Sequence, residues 1–133
     1  MALFKKKPKL ANIPVQTTTE LWTKTFLQSG SFKGFRRIKL TTYGEDLVQD
    51  TLAFFAQNGY NFKGCTIKLE SLYITGTFTD RLLRVVNVFV DGKRIGCVYD
   101  NGTPQYDLLA NSEYDKVHLR VADGEVYLFV HII

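Results

Sequence analysis

Cysteine, proline, methionine and tryptophan are scarce in this chain: two, three, one and one in 133 residues. Two cysteines, Cys65 and Cys97, make no disulfide framework, and a chain of this length buries a core without staples. No apolar run approaches the roughly 20 residues that a bilayer span requires. The opening residues are basic but have no apolar stretch behind them, so no secretory signal is read and the expected location is cytoplasmic. Histidine is limited to His118 and His131. Neither has a His or Cys partner at the i+3 to i+5 spacing by which a short turn preorganises a zinc site, and Cys65 and Cys97 lie far apart, so no metal is expected. A nucleophile elbow, a P-loop and a dinucleotide fingerprint are all missing. Glu45 and Asp46 are adjacent acids, but they stand at a helix start, where negative charge suits the dipole. The expectation is a non-enzymatic protein with no cofactor and no evident small-molecule substrate.

What is present is aromatic and β-branched. There are ten Phe and seven Tyr, and 45% of residues are hydrophobic. The most informative stretch runs from Leu82 to Val98. An apolar run is followed by Asp91-Gly92 and a second apolar run, the pattern of a hairpin whose turn needs φ > 0 at both central residues. The first run barely alternates, which implies a strand covered on both faces. A second Asp-Gly hairpin closes the chain. Val117–Val121 alternates, Asp123-Gly124 turns, and the return strand puts Val126, Leu128, Val130 and Ile132 in an inner row. Tyr127, Phe129 and His131 form its outer row, beside His118 and Arg120.

Net charge is +4, and Lys5, Lys6, Lys7 and Lys9 supply all of it. From Glu20 onward there are 13 basic and 13 acidic residues, so the body is formally neutral and overall basicity is poor evidence for a nucleic-acid partner. Residues 1–19 read as a flexible basic tail, and residues 20–133 as one domain.

Within the domain, Leu21–Leu27 reads as a short helix or a strand, with helix the reading taken. Ser31–Tyr43 reads as a strand in which Phe32, Phe35, Ile38 and Leu40 interleave with Lys33, Arg36, Arg37 and Lys39. Aromatics beside cations suit single-stranded nucleic acid, where rings stack on bases and cations meet phosphates; the same pattern also describes an ordinary half-buried strand. Thr42 and Glu45 form a capping box for a helix over about 45–57, with Leu47, Val48, Thr51, Leu52, Phe55 and Ala56 on one face and Asn58-Gly59 as its stop. Phe62–Thr79 is a strand region with a bulge expected at Ser71-Leu72. Thr103 and Pro104 open a short helix over about 104–111. The fold class is mainly β (α+β): a small barrel or curled sheet of about six strands with two helices.

The order of these elements resembles a HIRAN-type domain. The likeness is tightest over Val86–Val98, where Arg94-Ile95-Gly96-Cys97-Val98 fits a family frame of roughly Lys-x-Ile-Gly-Tyr-Val, with Cys97 in the aromatic position. The resemblance implies a small OB-like or SH3-like barrel that binds DNA, in particular single-stranded ends. Where the family carries an Asn-Pro-Tyr-Asp-like segment, this chain reads Gly76-Thr77-Phe78-Thr79-Asp80-Arg81-Leu82-Leu83. Where the family often ends its first strand on an aromatic-basic pair, Thr41-Thr42-Tyr43 stands instead. Two functions follow as expectations. One is a nucleic-acid-binding module for single strands, with Phe35, Arg36, Arg37, Tyr43, Phe78, Arg81 and Arg84 lining a groove. The other is a protein-interaction or assembly module of the same fold, meeting its partner through Tyr127, Phe129 and His131 or through a sheet edge.

Overall fold

A computed structural model describes residues 20–28, 31–42, 46–75 and 82–133. Tyr43, Phe78, Arg81, the Glu45 half of the capping box and the tail at 1–19 lie outside the described residues. The elements run β1 (Glu20–Leu27), β2 (Phe35–Lys39), α1 (Asp46–Ala56), β3 (Thr66–Thr75), β4 (Leu82–Val90), β5 (Lys93–Tyr99), α2 (Pro104–Asn111), β6 (Tyr114–Ala122) and β7 (Glu125–Ile132). Both Asp-Gly pairs make the expected reversals. Asp91 and Gly92 have φ of 49° and 83°, and Asp123 and Gly124 have 54° and 76°, the double positive φ whose twist matches the flanking strands. Asp91 also extends the β3–β4 ladder beyond its end. Its N–H donates to the Thr66 carbonyl, and its carboxylate accepts from the Thr66 N–H, each at 2.9 Å.

The strands form two antiparallel sheets, of four strands in the order β1-β3-β4-β5 and of three in the order β2-β7-β6. Their inner rows meet in one core. Ile67, Leu69, Val86, Val88 and Val90 come from the larger sheet, and Ile38, Val117, Leu119, Val126, Leu128 and Val130 from the smaller. The sheets touch at two corners through single bridges, Gln28 beside Val117 and Thr41 beside Cys97, and the described residues form no closed barrel ladder. At the second corner the Thr41 N–H donates to the Cys97 carbonyl at 2.8 Å and the Cys97 N–H returns a bond to Thr41 at 3.1 Å.

The described residues form seven strands rather than about six, because Leu21–Leu27 is a strand and not the helix expected there. Trp22, Lys24 and Phe26 lie on the half-buried side, while Leu21, Thr23, Thr25 and Leu27 are exposed. That is a period of two, and it serves pairing with β3 better than a helical stripe. The Lys24 stem carries its ammonium to 5.3 Å from the Trp22 ring centre and 4.5 Å from that of Tyr114, so a charged residue covers aromatic surface.

The bulge expected at Ser71-Leu72 falls on the opposite strand. β3 pairs with β4 in unbroken register from Ile67 to Thr75, and the irregularity lies in β1, between Glu20 and Trp22, opposite Leu72 and Ser71. The alternation slips at Leu72 because both faces are buried there: Leu72, Val85, Cys97 and Tyr99 make a second small cluster on the outer face of the larger sheet. This explains the unalternating run in β4.

The helices follow their sequence signals closely. Val48, Leu52 and Phe55 turn into the core, while Gln49 and Asp50 are exposed, as is Ala56. After α1 the Gly59 N–H donates to Ala56 O at 3.1 Å and the Tyr60 N–H to Phe55 O at 3.0 Å, a Schellman stop with Gly59 at φ 71°. Pro104 opens α2 and Thr103 stands at its cap, but the Thr103 hydroxyl makes no capping bond. Cys65 is half-buried and Cys97 buried, and neither forms a disulfide. Burial, and then the bond with Asp91, push the Cys65 thiol up, away from the reactive thiolate.

The buried Tyr114 hydroxyl is poorly served. The Tyr114 ring stacks with Phe26 at 5.6 Å, but its hydroxyl is buried with no hydrogen-bond partner among the described residues. Burial pushes this phenol well above the usual tyrosine range. Removing a hydroxyl that has left water without gaining a partner relieves a desolvation cost of about 1–3 kcal/mol. Tyr114→Phe is therefore expected to raise the urea midpoint, or at least leave it unchanged, with an unaltered m-value; a drop of the midpoint would contradict the unsatisfied hydroxyl.

Candidate nucleic-acid interface

The smaller sheet has a polar-aromatic outer face, and pairing rather than sequence proximity assembles it. β2 sets Phe35 against His131, Arg37 against Phe129 and Lys39 against Tyr127 on β7. β6 sets Lys116 against His131, His118 against Phe129 and Arg120 against Tyr127. Because side chains alternate along a strand, these nine residues share one face, opposite the inner row of Ile38, Val126, Leu128 and Val130. Three ranks cross it, with an aromatic or imidazole ring at the centre of each.

The rings and cations are in contact. Phe32, from the turn before β2, lies 4.4 Å from the Phe129 ring and edge-on to His118 at 3.9 Å. The Phe35 and His131 rings are 5.4 Å apart. The Arg37 guanidinium lies 5.0 Å over Tyr127 and that of Arg120 5.8 Å over Phe32. Such contacts place the cations over the rings without neutralising them.

Charge on this face is weighted to the positive. Among the described residues no carboxylate is paired with Arg37 or Arg120, and Lys116 is exposed. The two carboxylates here are engaged. Glu125 Oε2 lies 2.7 Å from Lys39 Nζ and, by accepting its hydrogen bond, holds the Lys39 ammonium above its ordinary pKa. Asp115 Oδ1 lies 2.8 Å from His131 Nδ1, and that bond holds its carboxyl below the usual range. Both pairs are well exposed and contribute little stability; their consequence is that Lys39 offers less free charge than Arg37 or Arg120.

The structure sorts the residues singled out in the sequence. Phe35 and Arg37 belong to this face. Arg36 is exposed but on the other parity of β2; together with Arg37 it borders a shallow hollow of about 380 Å³ beside Pro104, Asp107 and Leu108 of α2. Arg84 stands on β4 in the other sheet, where it pairs with Asp100 at 3.1 Å and lies 5.6 Å over the Tyr106 ring. It is therefore not brought together with Phe35 and Arg37. Tyr43, Phe78 and Arg81 lie outside the described residues. Lys39, Tyr127, Phe129, His118 and Arg120 join the site although they were not among the residues selected for it. The signal was parity: Phe35-x-Arg37-x-Lys39 and Tyr127-x-Phe129-x-His131 share a period of two, and only the pairing of β2 with β7 shows that they coincide.

Among the described residues no three His, Cys, Asp or Glu gather as a metal site, and no helix is long and apolar enough to cross a membrane. No protein-family model, curated protein or solved structure matches the chain.

Proposed function

We propose that this protein is a non-enzymatic module that binds single-stranded nucleic acid across the outer face of the smaller sheet. The observation that carries this reading is the three-rank face itself, with Phe35, Phe129 and Tyr127 as stacking surface and Arg37, Arg120 and Lys116 as phosphate contacts. Rings accept any base on their faces while cations follow the backbone, so such a surface binds strands with little sequence preference. The HIRAN-type resemblance of Arg94–Val98 points the same way. We also read the two sheets, tied at Gln28–Val117 and Thr41–Cys97, as a distorted OB-like or SH3-like barrel, a fold that commonly presents a sheet face to single strands.

The test is a titration of the full chain with a labelled single-stranded oligonucleotide at several salt concentrations. Each phosphate contact on a single strand contributes about −0.7 to the slope of log K against log salt. Three to four cations on the face therefore predict a slope of about −2 to −3. The affinity should survive replacement of Lys5, Lys6, Lys7 and Lys9 by Gln. Binding that vanishes with those four lysines would place it on the tail. No binding at all would leave the assembly-module reading, with Tyr127, Phe129 and His131 as a protein contact.

A further inference from the structure

The outer side of β2 is a strand edge that runs beside a helix. The Leu40 N–H donates to Val126 O at 2.8 Å, one step beyond the pairing of Lys39 with Tyr127. In an antiparallel ladder the backbone groups of a strand turn toward its partner at every second residue. Arg36, Ile38 and Leu40 therefore bond to β7, and the N–H and C=O groups of Arg37, Lys39 and Thr41 point away from it. Thr41 gives both of its groups to Cys97 of β5, in bonds of 2.8 and 3.1 Å. β5 ends at Tyr99 and the chain enters α2 at Pro104, so the ladder begun there is not continued. Among the described residues β2 pairs with no strand but β7, which leaves the outward groups of Arg37 and Lys39 on an open edge.

Two hollows lie along this edge. One, of about 380 Å³, is bordered by Arg36, Arg37, Pro104, Asp107 and Leu108. The other, of about 310 Å³, is bordered by Lys39, Thr41, Thr42 and Glu125. Gln105 of α2 borders both, which joins them into one trough between β2 and α2. Pro104 and Leu108, four positions apart on one side of α2, make part of its wall apolar. The charge along the trough is weighted to the positive: Glu125 is held by Lys39, and Arg36 and Arg37 outweigh Asp107.

An occupant of the edge has to donate as well as accept, because Arg37 and Lys39 each offer an N–H and a C=O. An extended peptide does both at every second residue, whereas the backbone of DNA only accepts. A second copy of β2 would set Arg36, Arg37 and Lys39 against their own kind, and like charges directly opposite destabilise a pair of strands.

We propose that the trough takes an extended acidic segment of a partner protein, added to the smaller sheet as a fourth strand beside β2. In this mode of recognition main-chain bonds supply affinity and pockets for alternate side chains supply specificity. The bonds go to Arg37 and Lys39, apolar side chains meet Pro104 and Leu108, and carboxylates answer Arg36 and Arg37. The inference does not depend on the single-strand reading, since it uses the backbone edge of β2 and not the outer face of the sheet.

The test titrates the full chain with a labelled nonapeptide of alternating valine and glutamate, a pattern that is the same in either chain direction. It should bind at least about tenfold tighter than the valine–lysine counterpart, which brings like charge to the arginines. Lys39→Pro removes an outward N–H that β7 does not use, a change that an edge strand tolerates. Lys39→Gln removes the same charge and keeps the N–H. The proline variant should therefore bind the peptide about tenfold more weakly than the glutamine variant, the scale of a lost backbone hydrogen bond. In the wild-type protein the Arg37 and Lys39 amides should exchange with solvent quickly when free and slowly once the peptide is added, a readout that stands even if the proline variant fails to fold. Failure of the peptide to bind, equal binding by the two variants, or amides already protected in the free protein overturns the proposal. So does equal protection of the same two amides by a single-stranded oligodeoxynucleotide. Each of these outcomes leaves the titration of the stacking face to be judged on its own.

Discussion

Phe129→Ala should weaken single-strand binding by about tenfold to a hundredfold, because loss of one base-stacking ring costs about 1–3 kcal/mol. Phe129 occupies the middle of the face, between Arg37 on β2 and His118 on β6, with Phe32 against it at 4.4 Å. A strand crossing the ranks in either direction meets this ring. Removing it takes away the central platform and also loosens Phe32, the ring over which Arg120 lies. Stability should change much less. Phe129 is half-buried on an outer face, and an aromatic pair contributes about 0.5–1.5 kcal/mol beyond its area. Phe54→Ala is the control. Its ring, on α1, is 51% exposed and lies under the Lys93 ammonium at 4.9 Å, away from the smaller sheet. It should leave the affinity unchanged. Unchanged affinity in Phe129→Ala, with the urea midpoint preserved, would remove the stacking face from the account.

Cations on this face are not equivalent. Lys39 is bound by Glu125 at 2.7 Å, so a phosphate that recruits it must compete with a carboxylate. Arg37 and Arg120 lie over rings instead, and a ring does not cancel their charge. On the proposed single-strand reading the phosphate contacts fall chiefly to the two arginines, at opposite edges of the face, with the aromatic row between them. A backbone that follows one edge keeps its bases over the centre.

How much of this was legible in the sequence depends on range. The turns were legible because Asp91-Gly92 and Asp123-Gly124 carry their own conformational preference. α2 was legible because Pro104 fixes its first position. Leu21–Leu27 was misread because a seven-residue stretch rich in apolar and β-branched residues fits either period until its partner is known. Its strand character comes from pairing with β3, about 40 to 50 positions away along the chain. The slip at Leu72 was visible, but its cause, a second apolar layer with Val85, Cys97 and Tyr99, was not. The candidate interface divides in the same way. The row Tyr127, Phe129, His131 and the cations of β2 were each visible as local patterns. They seemed to serve separate hypotheses because the register that joins Phe35 to His131 spans nearly the whole domain. Arg36 and Arg84 were chosen by type, and type does not say which face a side chain occupies.

Gly96→Ala should destabilise the protein by about 1–3 kcal/mol, the usual cost of overpacking a filled core. The position needs a glycine for space, not for backbone freedom. A Cβ there would stand 2.9 Å from Leu40 Cβ, 3.1 Å from Leu40 Cδ1 and 3.3 Å from the Thr41 carbonyl oxygen. Leu40 has little room to retreat. It is 2% exposed, its N–H is bonded to Val126 O at 2.8 Å, and the next residue, Thr41, exchanges two hydrogen bonds with Cys97. The close approach is thus part of the corner at which the two sheets are joined. Because the nearest atom is Leu40 Cβ itself, trimming that side chain should not cure the clash. Leu40→Ala alone is expected to cost about 2–5 kcal/mol through the cavity it opens. The double variant should fall close to the sum of the two, since its alanine keeps the atom that collides. Urea unfolding of the four proteins measures this cycle. A double variant as stable as Leu40→Ala alone would mean that only the flexible end of Leu40 stands in the way, and the corner would then be a pliable contact between the sheets rather than a fixed one.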